Sequence, residues 1–410
     1  MVRAVIPAFL LAISVGQIYA FTNFSTQISE YIGETQKAVQ FAFSLGIFFL
    51  GMGAAFFGRI VEKNIRLSTI VGTLLFLGGL VVTSIGINVK SLKLIYLGYG
   101  FLVGTGTGVI YISPVKTMML WFPKAKALAA ALSIISFGLG STLSTIMFKG
   151  FSLGSRLSFG GFERYGITKV FIAFAIFYAV PMVISTILLR KPPKAEQMLQ
   201  AQDPNAARFS YGRLFGDAFF WQSWLFMFLN ISSGLCLIPL AKQMMTTPTV
   251  GYSEGVITAI IALCGLMNGG GRFVFAWWSD CLARRINIML IILAISTGIM
   301  ALSFWPLLIG AALLVINACY GAGFSVIPAI LSDHYGMVNI SKIHGTVLSA
   351  WGFAGLAGNQ AAMWVSKEFG GYGEGGHGYV AVVAMLVIAY ALNFVNVCIL
   401  RARQNRADAR

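Results

Sequence analysis

Long apolar stretches alternate with short polar ones along the whole chain. A membrane-spanning helix needs about 20 consecutive, mostly apolar residues, and the sequence contains about twelve stretches of that kind. They cover residues 4–25, 36–58, 67–87, 94–116, 126–148, 168–190, 218–241, 254–277, 285–305, 308–331, 343–366 and 378–400. The pattern therefore predicts an all-α membrane protein with 12 transmembrane helices.

The longest polar stretch lies midway along the chain, with six apolar stretches before it and six after. We therefore expect a six-helix bundle over 1–190, a cytoplasmic linker over 191–217, a second six-helix bundle over 218–400 and a cytoplasmic tail over 401–410. Two related bundles are typical of transporters in which the halves rock around a central site. This organisation predicts pseudo-symmetric halves.

Two polar connections support the internal repeat. GRIVEKNIR (58–66) follows the second span, and AWWSDCLAR (276–284) follows the eighth. Each has an acid at its fifth place, Glu62 or Asp280, and arginine at its ninth, Arg66 or Arg284, while Gly58 opens the first copy. We interpret these five residues as the signature of a conformational loop.

The composition agrees with a membrane protein. Hydrophobic residues make up 58% of the chain and charged residues 10%, against about 25% charged residues in soluble proteins. The net charge of +16 comes from Lys and Arg concentrated in alternate connections and in the tail, and cytoplasmic loops carry such an excess. It predicts orientation, with both termini cytoplasmic, in the plasma membrane of a bacterium, and indicates no nucleic-acid partner.

The start of the chain and the cysteines add little. Met1–Ala20 could be a signal peptide, but the apolar run continues to about Phe24 without a small-residue cleavage site, which favours a first membrane helix. The five cysteines contain no C-x-x-C pair, so no disulfide framework or zinc site is indicated. No metal or cofactor is expected.

Arg272, in NGGGRFVFAWWSD (268–280), lies well inside the predicted eighth span. A charge near the bilayer centre costs about 2.5 to 3.5 kcal/mol, and such residues usually face a pathway or cavity. Asn268 lies one turn away, and the spacing places both on a polar face with Thr258 and Gly265. Because a guanidinium can donate two parallel hydrogen bonds to a carboxylate, an organic anion is the expected ligand. The alternative is an arginine that snorkels to the cytoplasmic rim.

Other candidates are less specific. Lys116 lies near the cytoplasmic end of the fourth predicted span, and we expect its side chain to snorkel. Four aromatic residues inside spans could line a cavity, although each alone is better explained by packing or interfacial anchoring: Tyr19, Tyr111, Tyr320 and Trp351. The histidines, His334, His344 and His377, fall near loops without metal-ligand spacing.

Several motifs together resemble a known family. They are GQIYAF (16–21), AVQFAFSLG (38–46), GVIY (108–111), WFPKAKALA (121–129), FWQSWLFMF (220–228), NGGGR (268–272) and ACYGAGFSVIPAILSDHYG (318–336). With them the chain resembles the major facilitator superfamily, specifically the oxalate/formate antiporter branch and the related monocarboxylate transporters. The resemblance implies alternating access around a central anion site. It also implies that Arg272 binds the substrate carboxylate and that the four aromatic residues line the cavity.

The chain departs from the resembled families at four places. Trp351 stands where oxalate exchangers have a second cation, a lysine, and a single cation suits a monoanion. Gly271 stands where monocarboxylate carriers of the animal type have Asp, and the first span has no lysine, so proton coupling by that arrangement is not expected. Ala276 replaces the glycine that opens the second loop signature in the family.

These observations predict a secondary transporter of small organic anions, with monocarboxylates such as lactate, pyruvate or formate as cargo. It would act as an exchanger, a uniporter or a proton symporter, as a monomer whose partners are the lipid bilayer, the substrate and a proton or counter-anion. Two alternatives stay open: a carrier of a neutral or cationic compound, and a sensor that does not transport. An enzyme is not expected, because no His, Asp or Glu pair lies inside the predicted spans.

Overall fold

The computed structural model describes residues 3–153, 157–193, 195, 210–246, 250–372 and 376–408, and nearly all of them are helical. In this part of the chain, nine helices are long and apolar enough to cross a membrane, and Ile286–Leu302 is a shorter apolar helix. Each of the twelve predicted stretches falls on a helix or on a run of consecutive helical segments. The prediction of a helical membrane protein is therefore confirmed.

The first of two compact units comprises Met1–Pro123, Leu132–Ala206 and Tyr335–Gly352. Its helices are α1 (Val5–Val15), α2 (Ser25–Ile32), α3 (Gln36–Lys63), α4 (Ile65–Asn88), α5 (Leu92–Ile95), α6 (Gly104–Trp121), most of α7 (Lys126–Lys149) and α8 (Ile167–Leu188), together with α14 (Ile340–Val347) from much later in the chain. α3 packs against α6 and α14. This packing places a segment of the second half of the sequence inside the first unit.

The second unit comprises Lys124–Ala131, Ala207–His334 and Phe353–Arg410. Its helices are α9 (Tyr211–Gly216), α10 (Ala218–Met245), α11 (Glu254–Cys281), α12 (Ile286–Leu302), α13 (Ile309–Tyr335), most of α15 (Ser349–Glu368) and α16 (Gly378–Asp408). The first turn of α7 also belongs to this unit. Residues 196–209 of the expected linker lie outside the described residues, and the division into bundles at 190 and 218 stays a prediction.

Three stretches depart from regular α-helix. Gly16–Asn23 continues α1 as a 3₁₀ helix, and Tyr96–Val103 forms a π-helix between α5 and α6. Gly16 has a packing reason, because a Cβ at this residue would lie 2.1 Å from the carbonyl oxygen of Phe137. Beyond the end of α7, β1 (Gly150–Leu153) and β2 (Leu157–Gly160) form an antiparallel hairpin. Hydropathy alone predicts none of these features.

Candidate functional site

Arg272 is buried on α11, with a side chain 1% exposed. Its neighbour one turn earlier, Asn268, is buried too, whereas Leu263, Met267 and Val274 are exposed, as expected of a helix that turns its apolar side to lipid. The predicted polar face is thus buried towards the C-terminal end of α11, whereas Thr258 and Gly265, nearer its N-terminal end, are exposed. The near-complete burial excludes a side chain that reaches solvent, so the snorkelling alternative for Arg272 is wrong.

Small residues bring α11 and α13 into backbone contact at this point. A Cβ on Gly271 would lie 2.2 Å from the carbonyl oxygen of Ala318, and a Cβ on Gly321 would lie 2.2 Å from that of Asn268. Side chains cannot occupy such distances, so glycine is required on both helices. The contact sets Arg272 directly against the polar and aromatic residues of α13.

Arg272 makes both a polar and an aromatic contact in the second unit. Its Nε donates to Oδ1 of Asn268 at 3.2 Å, and its Cζ lies 5.2 Å from the centroid of the Phe324 ring. Asn268 in turn donates from Nδ2 to the carbonyl oxygen of Asn317 at 3.3 Å. Tyr320 lies edge-on to Phe324, with ring centroids 5.4 Å apart. We name these five residues the arginine cluster: Asn268, Arg272, Asn317, Tyr320 and Phe324.

The arrangement orients a permanent cation in a buried position. One face of the guanidinium lies over an aromatic ring, a favourable cation–π geometry, and one nitrogen is held by an amide oxygen. A guanidinium fixed in this way recognises planar anions with two oxygens, because its donors lie in one plane. The cluster therefore has a donor geometry that suits a carboxylate.

The first unit contains a separate set of rings. Trp351 is fully buried, and its ring lies 5.4 Å from Tyr111, 5.8 Å from Phe137 and 6.5 Å from the half-buried Tyr19. Phe137 also packs edge-on against Tyr19 and Tyr111. The ring of His344 lies 6.4 Å from that of Tyr111. We name these residues the aromatic cluster: Tyr19, Tyr111, Phe137, His344 and Trp351.

Six residues were expected to bind substrate. Three of them, Asn268, Arg272 and Tyr320, lie together in the arginine cluster, and the other three, Tyr19, Tyr111 and Trp351, lie together in the aromatic cluster. Their roles in binding stay predictions. Asn317 and Phe324 share a helix face with Tyr320 in the sequence but were assigned no role in binding. Phe137 and His344 were not predicted as site residues, since their contacts in the aromatic cluster join segments far apart in the chain.

The first loop signature contacts the N-terminal end of α14 through Glu62. Glu62 accepts a hydrogen bond from the backbone N–H of Ser341 at 2.6 Å and forms an ion pair with Lys116. Gly58 allows the approach, since a Cβ there would lie 2.7 Å from the carbonyl oxygen of Ser341. The first N–H groups of a helix have no partner within it and carry partial positive charge, so the carboxylate of Glu62 stabilises this helix end. Arg66 is exposed.

The second loop signature contacts the N-terminal end of α7 through Asp280. Asp280 accepts hydrogen bonds from the backbone N–H groups of Ala127 at 3.2 Å and Leu128 at 2.8 Å. Its ion-pair partner is Arg285 at 3.0 Å, whereas Arg284 is exposed and donates to Asn405. The repeat of helix-end contacts in both units fits the internal repeat of the sequence.

Arg285 also forms an ion pair with Asp333. The Nζ of Lys126 lies 3.2 Å from Oδ1 of the same aspartate. Burial alone would lower the pKa of Arg285. The hydrogen bond and charge of Asp333, with those of Asp280, outweigh that effect and raise the pKa above its usual value. This arginine therefore stays charged, and its two carboxylates hold it between the ends of three helices.

The structure corrects two expectations. Lys116 does not snorkel; it is 2% exposed and pairs with Glu62. Glu62 and Asp280 lie inside α3 and α11, which extend beyond the apolar stretches, and not in loops. His344, expected near a loop, lies in the short helix α14 that follows residues 336–339 and is buried there. An apolar stretch underestimates the length of a helix when the last turn of the helix contains a charged residue that is buried in an ion pair.

Comparison with known proteins places this fold among membrane transporters. The Major Facilitator Superfamily profile matches residues 7–400. The chain is 24% identical to the uncharacterized MFS-type transporter YhjX of Escherichia coli (strain K12), over 84% of the chain and 83% of that protein. It is also 24% identical to the oxalate:formate antiporter of Oxalobacter formigenes, over 89% and 85% respectively.

The chain is also similar to an animal transporter and to solved transporter structures. The chain is 24% identical to monocarboxylate transporter 12 of Xenopus laevis over 75% of the chain and 69% of that protein. The crystal structure of a bacterial homologue of the iron transporter ferroportin, in an outward-facing state, superposes with a TM-score of 0.70 and 12% identity, covering 97% of this chain and 98% of that one. The chain therefore belongs to the Major Facilitator Superfamily, and its fold is the twelve-helix transporter fold of that family.

Proposed function

We propose that the protein is a secondary transporter of small organic anions, and that its cargo is a monocarboxylate of the size of lactate, pyruvate or formate. Two relatives are named for the transport of oxalate and formate and of monocarboxylates, which supports the class of cargo. The superfamily match supports transport by alternating access. We place the protein in the plasma membrane, in a bacterium the inner membrane, as a monomer with both termini in the cytoplasm.

The observation that carries the proposal is the burial of Arg272 beside Asn268 and Phe324. A charged side chain inside a membrane protein is costly, and such residues usually serve a transport pathway. A carboxylate that binds the guanidinium gains two charge-assisted hydrogen bonds and lowers the cost of the buried charge. Binding of an anion would thereby stabilise the occupied state.

The aromatic surroundings of Trp351 favour a monoanion as cargo. Trp351, at the place where the resembled oxalate exchangers have a lysine, is enclosed by the rings of Tyr111 and Phe137. Aromatic rings carry electron density on their faces, so this cluster offers no compensation for a second carboxylate. We therefore expect formate, lactate or pyruvate to be preferred over oxalate.

Counterflow in liposomes tests the proposal. The purified full-length protein is reconstituted into liposomes loaded with lactate, pyruvate, formate or oxalate, and the uptake of the same labelled anion is followed without a pH gradient. We expect rapid counterflow with at least one monocarboxylate. Choline and an uncharged sugar serve as test solutes for the alternative of a cationic or neutral cargo.

Variants of Arg272 then connect transport to the site. Arg272→Ala should abolish carboxylate counterflow, and Arg272→Lys, which keeps the charge but loses the planar donors, should reduce it strongly. Val274→Ala, on the exposed side of the same helix, is the control for truncation. The proposal fails if Arg272→Ala protein, folded by size-exclusion chromatography, transports carboxylates at the rate of the wild type. Transport of choline or the sugar with no carboxylate counterflow would favour the alternative cargo.

A further inference from the structure

A cavity of about 520 Å³ lies at the C-terminal ends of α10 and α15, within the second unit. None of its residues belongs to the arginine cluster or the aromatic cluster. Side chains of both helices and the turn that follows α15 line it: Leu240, Gln243, Met363, Ser366, Lys367, Gly370, Gly371 and Tyr372. Gln243 and Lys367 are exposed, and Met363 is 44% exposed, so the cavity is an open groove.

The turn after α15 fixes one wall of the groove. Gly370 and Gly371 have φ angles of 81° and 74°, in the left-handed region that glycine adopts without steric cost. The N–H of Gly371 donates to the carbonyl oxygen of Ser366, and the N–H of Gly378 donates to that of Gly371. Such bonds occupy carbonyl oxygens that a helix end otherwise leaves unpaired. The polar groups that the groove offers to a ligand are therefore mainly side chains.

Both helices change from apolar to polar in the same direction along the groove. Leu240 lies inside the seventh apolar stretch and Gln243 beyond its end, while Met363 lies inside the eleventh stretch and Lys367 beyond its end. An apolar stretch of that length ends where the hydrocarbon of the bilayer ends. The groove therefore crosses the boundary between acyl chains and headgroups.

Aromatic residues mark the same depth. Trp364, about one turn before Lys367, is 64% exposed, and Tyr372 lines the groove. Trp and Tyr are enriched where the membrane meets water, at the level of the headgroups. With both termini in the cytoplasm, as proposed above, α10 and α15 end on the outer side. The groove then faces the headgroups of the outer leaflet.

Lys367 carries the charge of the groove, as the one charged residue among the described residues that line it. Lys242, at the same end of the unit, lies 3.2 Å from Glu254, whereas Lys367 forms no such pair within the described residues. The hydroxyl of Tyr372 is buried and has no hydrogen-bond partner of normal geometry in that part of the chain. A polar atom of this kind is usually satisfied by a ligand or water. The groove thus suits a ligand with a single negative charge and further acceptor atoms.

The size and layout of the groove favour a phospholipid over the proposed cargo. Cavities of about 300 to 1,000 Å³ hold ligands of drug size, and formate or lactate would fill only a small part of this one. A phospholipid presents an acyl chain and then a phosphodiester, in the order in which the groove presents its apolar and polar residues. A headgroup with one net negative charge, as in phosphatidylglycerol, matches the single lysine.

We propose that this groove binds one anionic phospholipid of the outer leaflet, with a headgroup of the phosphatidylglycerol type. The phosphodiester accepts hydrogen bonds from the ammonium of Lys367 and the amide of Gln243, and the start of an acyl chain packs on Leu240 and Met363. A lipid bound in this way contacts both helices and ties the outer end of α10 to that of α15. The inference does not depend on which solute the protein transports.

Native mass spectrometry of the purified full-length protein tests the inference. Delipidated protein in detergent is titrated with equal amounts of phosphatidylglycerol and phosphatidylcholine, and the retained lipids are counted. The wild type should prefer phosphatidylglycerol. In Lys367→Gln, the affinity for one of the bound phosphatidylglycerol molecules should fall about fivefold, which is the contribution of one lysine at a lipid surface.

Two further lysine variants separate the groove from general attraction of anionic lipid. Lys367→Arg keeps the charge and should bind as the wild type does. Lys242→Gln removes an exposed lysine that has an acidic partner at the same end of the unit, and it should leave the affinities unchanged. The same fivefold loss in Lys242→Gln would overturn the assignment of the site to Lys367.

Soluble anions distinguish a lipid from a free ion. Glycerol 3-phosphate and lactate should not displace phosphatidylglycerol, because neither has an acyl chain to bury against Leu240 and Met363. Displacement by either of them would assign the groove to a soluble anion and overturn the inference. Equal affinities of the wild type and Lys367→Gln would overturn it too. Equal retention of the two lipids by the wild type would do so whether or not the variants fold.

Discussion

Gly271 and Ala318 lie in backbone contact, and a Cβ at Gly271 would fall 2.2 Å from the carbonyl oxygen of Ala318. This position immediately precedes Arg272, and it is where the resembled animal-type carriers have an aspartate. The contact leaves no room for any side chain beyond hydrogen. An aspartate at this position is therefore incompatible with the packing of α11 on α13.

The first prediction concerns this contact. Gly271→Ala should separate α11 from α13 and destabilise the protein by about 1 to 3 kcal/mol, as overpacked positions do, and Gly271→Asp should be worse. The measurement is the thermal unfolding midpoint of purified protein in detergent. Gly270→Ala is the matched control, because a Cβ on Gly270 would meet nothing within 4 Å. Equal midpoints for the two alanine variants would contradict the packing.

Asn268 should matter for substrate affinity through the orientation of Arg272. Asn268→Leu removes the acceptor of the 3.2 Å bond from Nε, and hydrogen bonds to charged groups contribute about 1.5 to 3 kcal/mol. We expect the KM of monocarboxylate counterflow to rise by about tenfold or more. Thr258→Val, on an exposed residue of the same helix, should leave the KM unchanged. An unaltered KM in Asn268→Leu would show that Arg272 is positioned by other contacts.

Two adjacent arginines provide an internal comparison. Arg285 pairs with both Asp280 and Asp333, whereas Arg284 is exposed. Arg285→Ala should lower the free energy of unfolding by about 1.5 to 3 kcal/mol, the range for hydrogen bonds to charged groups, while Arg284→Ala should change it by about 0.5 kcal/mol or less. Urea or thermal unfolding of the two variants measures both changes in the free energy of unfolding. The reverse order would mean that the family signature position, Arg284, carries the structural role.

Glu62 and Lys116 should behave as a coupled pair. Breaking a buried ion pair by removing one partner typically costs about 3 to 5 kcal/mol, because the other charge stays buried. Glu62→Gln and Lys116→Met should each be strongly destabilising, and the double variant should be less so than the sum of the two. Thermal unfolding of the four proteins gives the coupling energy. Strict additivity would argue against the ion pair.

The membrane helices were predictable, because about 20 consecutive apolar residues have few alternatives to a helix in lipid. The ends of α3 and α11 were not, since their final turns contain charged residues whose burial depends on partners such as Lys116 and the start of α7. Arg272 was predictable as a site residue, because the free-energy cost of a charge well inside a membrane span singles out this one residue. His344 and Phe137 were not predicted as site residues, because their neighbours in the aromatic cluster come from distant segments of the chain.

The 3₁₀ stretch at Gly16–Asn23 carries Tyr19. Successive side chains turn about 120° around a 3₁₀ helix and about 100° around an α-helix. If this stretch rewound to α-helix, the phenol of Tyr19 would swing through several tens of degrees while Tyr111, on regular α6, stayed in place. Such a change of helix type would re-aim one wall of the aromatic cluster without displacing the others.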